Sequence, residues 1–306
     1  MNKKTPRVNQ VTSHTSIPAR PDLVRLGLGI IGIGTSGPLI ATSFMSVPTL
    51  IFWRNLGGAV LTLPFAIRHK QWRDREGMKW SVLAGILLAF HFYGFFLAMR
   101  YTSVATGTAL AALQPIFAAI FVKFTGGHIP PRAWLGMFIS FLGVLLVSGV
   151  DLHISVRSFL GDLAALVAAG LAALYMLAGA RAREHIETTS YTTVCYFVCA
   201  FTALPLAVFS SFQLWHFHAR EWWIVAGLVF GAQILGHTMF SSALKRVSPA
   251  VVSLVVFFEV PVSAILALWW LGQKPPLGVI PGIILILIGC GLVVLRTRPD
   301  HVEAVL

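Results

Sequence analysis

The sequence has few charged residues. Only 11% of its 306 residues are Asp, Glu, Lys or Arg, whereas 57% are hydrophobic and the mean hydropathy is +0.80. A soluble domain carries about 25% charged residues, so this chain lacks the polar surface that a globular domain needs in water. The composition therefore excludes an ordinary soluble protein and indicates a membrane protein.

Cysteine is also scarce. Three Cys residues exclude a disulfide-stapled secreted fold, and no Cys-x-x-Cys motif or Cys/His cluster indicates structural zinc. Acidic residues are fewer than basic ones, which gives a formal net charge of +12. Because the basic residues lie between apolar runs, they indicate membrane topology and not a nucleic-acid partner. We expect neither a metal nor a cofactor.

Ten apolar segments are long enough to cross a membrane. A spanning helix needs about 20 apolar residues, and these runs are continuously apolar instead of alternating, which favours helices over the strands of a barrel. The predicted fold class is an all-α polytopic membrane protein with ten transmembrane helices. The predicted spans are 23–44, 47–67, 80–99, 103–124, 133–150, 158–179, 190–212, 221–243, 249–271 and 277–295.

The basic residues also predict the orientation of these spans. One side of the membrane receives 17 Lys and Arg residues, and the other receives only Arg100, Arg157, Arg220 and Lys274. Since cytoplasmic loops carry the excess of Lys and Arg, both termini are expected in the cytoplasm and the protein in the inner membrane. Residues 1–22 are expected to form a disordered tail, and residues 297–306 a second tail.

The second half of the chain repeats the first. The junction Ala98-Met99-Arg100-Tyr101-Thr102-Ser103-Val104-Ala105 recurs 145 positions later as Ala243-Leu244-Lys245-Arg246-Val247-Ser248-Pro249-Ala250. Each half, 23–150 and 158–296, holds five spans, so the second half must enter the membrane from the opposite side. Such inverted repeats are typical of carriers in which two halves alternate around a site at mid-membrane.

Several motifs stand at regular places around these junctions. They are Trp53-Arg54, Gln114-Pro115, Gly161-Asp162 and Glu259-Val260-Pro261. Together with the two junctions, their order resembles the drug/metabolite transporter superfamily, in particular its EamA-domain branch. The resemblance covers roughly residues 23–296 and implies ten helices, cytoplasmic termini and the transport, often outward, of small metabolites, amino acids or drugs. The chain departs from the family where the fourth helix of each repeat usually ends in Gly-Glu, because it has Gly126-Gly127 and Gly272-Gln273.

Two charged residues lie deep within predicted spans. An ionisable side chain at mid-bilayer costs ~2.5–3.5 kcal/mol by insertion measurements, so it is usually paired or faces a cavity. Glu259 is either a proton-exchanging substrate ligand or a buried packing acid. Arg54 either binds a substrate carboxylate or forms a structural ion pair with Glu259 or Asp162.

Further polar residues near mid-depth form a candidate lining for a substrate pocket. A histidine among them would also relay protons, because imidazole titrates near neutral pH. Interhelical hydrogen bonds explain each of these residues equally well. The candidates are Ser36, His91, Tyr93, Gln114, Gln233 and His237.

Three prolines are expected to interrupt helices near this pocket. Proline removes one helical hydrogen bond and frees a carbonyl group, and paired interruptions in equivalent helices point to a transporter's binding site. Pro115 and Pro261 occupy equivalent helices of the two halves, and Pro38 follows a glycine-rich stretch in the first span.

The sequence favours a secondary transporter without enzymatic activity, moving an amino-acid-like or related metabolite, as an exporter. Its expected partners are a small-molecule substrate, the lipid bilayer and protons as a coupling ion, with the oligomeric state left open. One alternative is an intramembrane serine protease, since Gly34-Thr35-Ser36-Gly37 resembles a rhomboid motif and His91 or His237 would serve as the base. The other is a channel or receptor, for which the sequence has no charged ring, filter loop or output domain.

Overall fold

The computed structural model describes residues 20–69, 71, 73–124, 126, 129–211, 213–239 and 255–294. Within this part of the chain every regular element is helical, which confirms the all-α class. Seven helical segments there are long and apolar enough to cross a membrane, and two shorter apolar helices follow near the end of the chain.

Helices occupy all ten predicted spans, in order, although several spans consist of two pieces. The first span comprises α1 and α2, the fourth α5 and α6, and the eighth α10 followed by a wider π-helix. The bounds are α1 (Arg20–Gly34), α2 (Ser36–Thr42), α3 (Val47–His69), α4 (Arg75–Tyr101), α5 (Val104–Ala111), α6 (Gln114–Phe124), α7 (Pro131–Ile154), α8 (Val156–His185), α9 (Thr188–Ser211), α10 (Ala219–Gly227), the π segment (Leu228–Thr238), α11 (Glu259–Leu271), a 3₁₀ turn (Leu277–Val279) and α12 (Ile280–Val294).

Some predictions fall on residues outside the described ranges. The second junction, 243–250, and the tail 297–306 lie entirely outside them. Most of the tail predicted over 1–22 also lies outside, while α1 begins at Arg20, three residues before the predicted span.

The helix ends gather on two faces of the bundle, one at each end of the 27-residue α4. On the face where α4 ends, a cavity is lined by the ends of α2, α4 and α11 together with the beginning of α8. On the other face, the backbone N–H of Glu187 donates to Oε1 of Gln71 at 2.7 Å. Since α8 begins on the face where α2 ends, the two halves of the chain run through the bundle in opposite directions, as the inverted repeat requires.

The packing of the helices also follows the same pattern in the two halves. The third span of each half packs extensively on the first span of the other half, α4 on α8 and the π segment on α1. Two further large interfaces, α3 with α9 and α7 with α12, each join a helix to its own counterpart. The bundle therefore has the pairing pattern of two related five-helix units.

Glycines allow the closest of these approaches, between α7 and α12. A Cβ atom built on Gly143 would lie 2.7 Å from the carbonyl oxygen of Gly282. Gly289 packs in the same way against the carbonyl oxygen of Gly136. The two contacts are equivalent, because a spacing of 146 positions, one more than that of the two junctions, relates Gly136 to Gly282 and Gly143 to Gly289.

We predict that Gly143→Ala destabilises the protein whereas Gly149→Ala on the same helix does not. The methyl group added to Gly143 would collide with backbone, and such overpacking costs about 1–3 kcal/mol. A Cβ atom on Gly149 meets no atom within 4 Å, so its replacement only improves helix propensity. Thermal unfolding in detergent measures the difference, and equal midpoints for both variants would contradict the backbone contact.

Candidate functional site

Arg54 on α3 is the centre of a buried polar site. Its side chain belongs to the largest fully buried ones in the described chain, with the residue only 1% exposed. Its Nε atom donates to Oε1 of Gln233, on the π segment, at 3.2 Å. Its guanidinium carbon lies 4.2 Å from the ring centroid of Phe92 and 5.7 Å from that of Phe96, both on α4. Desolvated cation–π contacts contribute about 2 kcal/mol, so the rings offset part of the cost of burying this charge.

Several ionisable side chains surround the guanidinium at longer range. The Glu259 carboxyl group interacts with Arg54 through its charge, without a hydrogen bond between these two described side chains. Tyr175, Tyr196 and Cys199 also lie within electrostatic range of Arg54. These residues come from α11, α8 and α9, so the site combines helices of the first half with helices of the second.

Two donors at this site have no acceptor among the described residues. Nη1 of Arg54 and Nε2 of Gln233 are buried and make no hydrogen bond within that part of the chain. A buried donor left without a partner costs about 1–3 kcal/mol. The arrangement thus offers two neighbouring side chains with free N–H groups to any oxygen-bearing ligand that enters.

The close approach of α3 to the π segment depends on Gly58. A Cβ atom at this position would overlap the Nε2 atom of Gln233. Gly58 therefore leaves room for the Gln233 amide, one helical turn from Arg54.

Glu259 occupies the first turn of α11, directly after a turn at Phe257 and Phe258. A carboxylate near the N-terminus of a helix gains about 0.3–1 kcal/mol from the helix dipole. Its position therefore suits both a structural acid that stabilises a helix start and a charge that faces the Arg54 site.

His91 on α4 lies close to Arg54, but its ring is engaged by neighbours. Nδ1 is 2.8 Å from the carbonyl oxygen of Ala168, so this nitrogen carries the proton and donates, which leaves Nε2 as an acceptor. The ring stacks on Phe95 at 6.0 Å and packs beside Tyr175 at 5.8 Å between centroids.

The arrangement required of a serine protease is not formed by Ser36 and His91. Ser36 is buried at the first residue of α2, and these two described side chains make no hydrogen bond to each other. The second candidate base, His237, has its backbone in the π segment, while its side chain lies outside the described residues.

Two other predicted lining residues have neighbours of their own. Nε2 of Gln114 donates to the sulfur of Met176 on α8. Tyr93 lies 36% exposed on α4, in a shallow outer groove that Leu163 and Val167 also line. Arg54 therefore has His91, Gln233 and Glu259 among its neighbours, whereas the contacts described for Gln114 and Tyr93 are with other residues.

Of the alternatives for Arg54, the ion pair with Asp162 is not formed between the described side chains. Asp162 lies near the beginning of α8, beside Asp151, Ser148 and Thr102. Asp162 is not among the charges that act on Arg54.

The first span breaks next to Pro38. Pro38 has no N–H group for the carbonyl oxygen of Gly34, four residues earlier, and the chain is interrupted at Thr35 between α1 and α2. The hydroxyl group of Ser263 on α11 donates to this carbonyl oxygen at 2.9 Å. A side chain of the second half thus replaces a hydrogen bond that proline removes in the first.

The other two prolines lie at equivalent breaks. Helix α5 ends at Ala111 and α6 begins at Gln114, with Pro115 in its first turn. The turn at Phe257 and Phe258 precedes α11, with Pro261 in its first turn. The turn residues Ala112 and Leu113 lie 145 positions before Phe257 and Phe258, the spacing that separates the two sequence junctions.

Three aromatic residues of the site were missed in the sequence. Phe92 and Phe96 lie four residues apart and so share one face of α4, and Tyr196 lies on α9. The i, i+4 spacing of the phenylalanines was the only available signal, and apolar spans contain many such pairs.

A helical bundle of two related halves with a buried polar site between them is the architecture of a membrane transporter. The EamA-like transporter family matches this chain twice, over residues 25–149 and 159–295. The chain belongs to this family, and the resemblance found in the sequence is confirmed.

Similar proteins carry transporter names. An uncharacterized transporter of Archaeoglobus fulgidus is 26% identical over 262 residues, covering 82% of this chain and 88% of its own length. The uncharacterized transporter YyaM of Bacillus subtilis is 26% identical over 78% of this chain and 81% of its own. The pseudopaline exporter CntI of Pseudomonas aeruginosa is 23% identical over 82% of this chain and 87% of its own.

A solved crystal structure of another protein shares the fold. It has a TM-score of 0.60 and 19% identity, and the match covers 89% of this chain and 96% of that one. The protein is therefore a multi-pass membrane protein with the fold of a solved helical structure and the sequence of a transporter family.

We predict that Ser263→Ala destabilises the protein by about 1–3 kcal/mol, because it leaves the buried Gly34 carbonyl without a donor. Ser81→Ala is the matched control. Ser81 is equally buried and donates to the carbonyl oxygen of Gly77 at 2.7 Å, but that helix has no proline to remove the backbone donor, so the hydroxyl is dispensable. Thermal unfolding in detergent compares the two variants, and equal losses would show that Ser263 does not support the break.

Proposed function

We propose that this protein is a secondary transporter that exports a small, polar metabolite by alternating access of its two halves around Arg54. The observation that carries the proposal is the pair of donors left unpartnered by the described residues, Arg54 Nη1 and Gln233 Nε2, buried where α3 meets the π segment. A transporter site has to bind polar groups of its substrate away from bulk water. Buried hydrogen-bond donors that lack an acceptor in the protein are suited to this. Neither the protease nor the channel alternative has an observation in its favour.

The substrate we propose is amino-acid-like. A carboxylate would accept from Arg54 and Gln233 together, since a guanidinium offers its N–H groups in a planar fork that fits two oxygens. Glu259 would attract an amino group on the same molecule. The ring of Phe92 already covers one side of the guanidinium, which leaves the free edge of the fork for the ligand.

The broken helices would supply the movement. Breaks separate α1 from α2 beside Pro38 and α5 from α6 beside Pro115, and a turn precedes α11 beside Pro261. Discontinuous helices commonly surround the site of inverted-repeat carriers. Rocking of one half against the other would then open the Arg54 site to each side of the membrane in turn.

Export from the cytoplasm is supported by the relative named as an exporter. The excess of Lys and Arg on one side supports cytoplasmic termini and the inner membrane. We further propose that Glu259 binds a proton when the substrate leaves, which would couple export to the proton gradient. The protein would act as a carrier without a chemical reaction of its own.

The substrate can be found by comparing the metabolites inside and outside cells that have or lack the gene. The best candidate is then tested in liposomes that contain the purified protein. We expect uptake or release that depends on the protein and accelerates with a pH gradient. If no accumulated compound is moved by the purified protein, the proposed function is wrong.

We predict that Glu259→Gln removes the effect of the pH gradient on transport while substrate exchange at equal pH continues. The amide cannot bind or release a proton, but it keeps the size and hydrogen-bonding capacity of the acid. Glu76→Gln, on the exposed first turn of α4, is the control and should transport as the wild type does. Wild-type pH dependence in Glu259→Gln would refute the coupling role.

A further inference from the structure

A cavity lies on the face where α4 ends. Its volume is about 590 Å³, enough for a small metabolite, and it is open to the surface. The end of α2 and the end of α4 form one side, while the beginning of α8 and the end of α11 form the other. Both halves of the protein therefore line it, so rocking of the halves would change its width.

The charged groups that line this cavity are positive. Arg100 and Arg157 are lining residues, and no carboxylate of the described chain is. The Arg157 guanidinium carbon lies 4.8 Å from the ring centroid of Tyr101 and makes no ion pair with any described acid. Nη2 of Arg100 donates to the carbonyl oxygen of Met45 at 2.6 Å, which fixes the position of that charge.

The nearby carboxylates lie behind the wall of the cavity. Glu221, 3% exposed, accepts from the hydroxyl of Ser43 at 2.6 Å and from the backbone N–H of Phe44 at 2.9 Å. Asp151, 2% exposed, accepts from the hydroxyl of Thr102 at 2.9 Å. These acids hold the wall segments in place, and the Glu221 charge also acts on Arg100. Arg157 is exposed and presents its charge to the cavity.

We infer that this cavity is an anion-binding vestibule and that the transported metabolite is a carboxylate-bearing compound with net negative charge. The inference rests on the proposed function, since it places the vestibule on the path of the same substrate. Two arginines that line an open cleft raise the local concentration of anions, and the Arg157 guanidinium can bind a carboxylate through two N–H groups. The substrate would thus carry at least one carboxylate beyond the one assigned to Arg54.

The charge of the vestibule can be measured without knowing the substrate. A reporter cysteine replaces Ala41, a lining residue at the end of α2, and the three native cysteines are all buried. The measurement is the ratio of modification rates by an anionic and a cationic methanethiosulfonate reagent. Leu277→Cys is the reference reporter, because Leu277 is 83% exposed outside the vestibule.

We expect the anionic-to-cationic ratio at the Ala41 reporter to exceed that at the reference on the order of tenfold. Arg157→Gln should lower this ratio, and Arg157→Lys should restore it because it keeps the charge. Arg68→Gln, at the opposite end of the bundle on α3, should leave it unchanged. Equal ratios at the two reporters, or a reporter that neither reagent reaches, would overturn the inference.

Binding is tested separately with citrate as the probe. Millimolar citrate should slow modification of the Ala41 reporter in the wild-type background but not in Arg157→Gln. A positive vestibule that citrate does not protect would overturn the anion site. Because these rates require no transport, their failure is distinguishable from a failure of the liposome experiment, which tests the proposed function itself.

Discussion

A guanidinium group buried in an apolar helical bundle is the interaction on which the rest of this structure depends. Arg54 is almost completely shielded from solvent, so burial deprives its charge of hydration. The protein compensates with a hydrogen bond to Gln233, two aromatic faces from α4 and the charge of Glu259. These partners come from three different helices. Compensation of one buried charge therefore requires residues from both halves of the chain. The compensation by the described residues is incomplete, which leaves donors for a ligand.

The second constraint is that lipid offers no hydrogen bonds to the backbone. Breaks in spanning helices are therefore tolerable only where another group takes over the freed carbonyl. The contact from Ser263 to Gly34 shows how this occurs here, with a hydroxyl from one half serving a break in the other. Breaks at equivalent positions of the two halves follow from the duplication, and the break in the ninth span directly precedes Glu259.

Much of the architecture was predictable because membrane spans are long and the repeat has a nearly constant spacing. The glycines that the repeat pairs, such as Gly143 and Gly289, are those at the α7 and α12 contact. Arg54, Gln233 and Glu259 were also identifiable, since polar groups are conspicuous in apolar segments. The rotation of each helix about its own axis was not predictable. In α4 almost every position is apolar, so no pattern in the sequence indicates that Phe92 faces the guanidinium while neighbouring Tyr93 faces outward.

The sequence also did not indicate which distant residues lie next to each other. Asp162 and Glu259 were equally suitable partners for Arg54 on sequence grounds, because the local sequence does not determine which helices contact each other or at what depth in the membrane. The structure places Asp162 beside Asp151 instead. Likewise, the π segment that carries Gln233 has no recognisable sequence signal.

The central claim is that Arg54 contacts the transported molecule directly. Equilibrium binding of that molecule to purified protein tests it, with Arg54→Lys compared against Arg68→Lys at the far end of α3. Lys keeps the charge but loses the planar fork, so binding to Arg54→Lys should weaken on the order of tenfold or more, which corresponds to ~1.4 kcal/mol per factor of ten, while Arg68→Lys binds as the wild type does. Unchanged affinity in a folded Arg54→Lys protein would contradict this account.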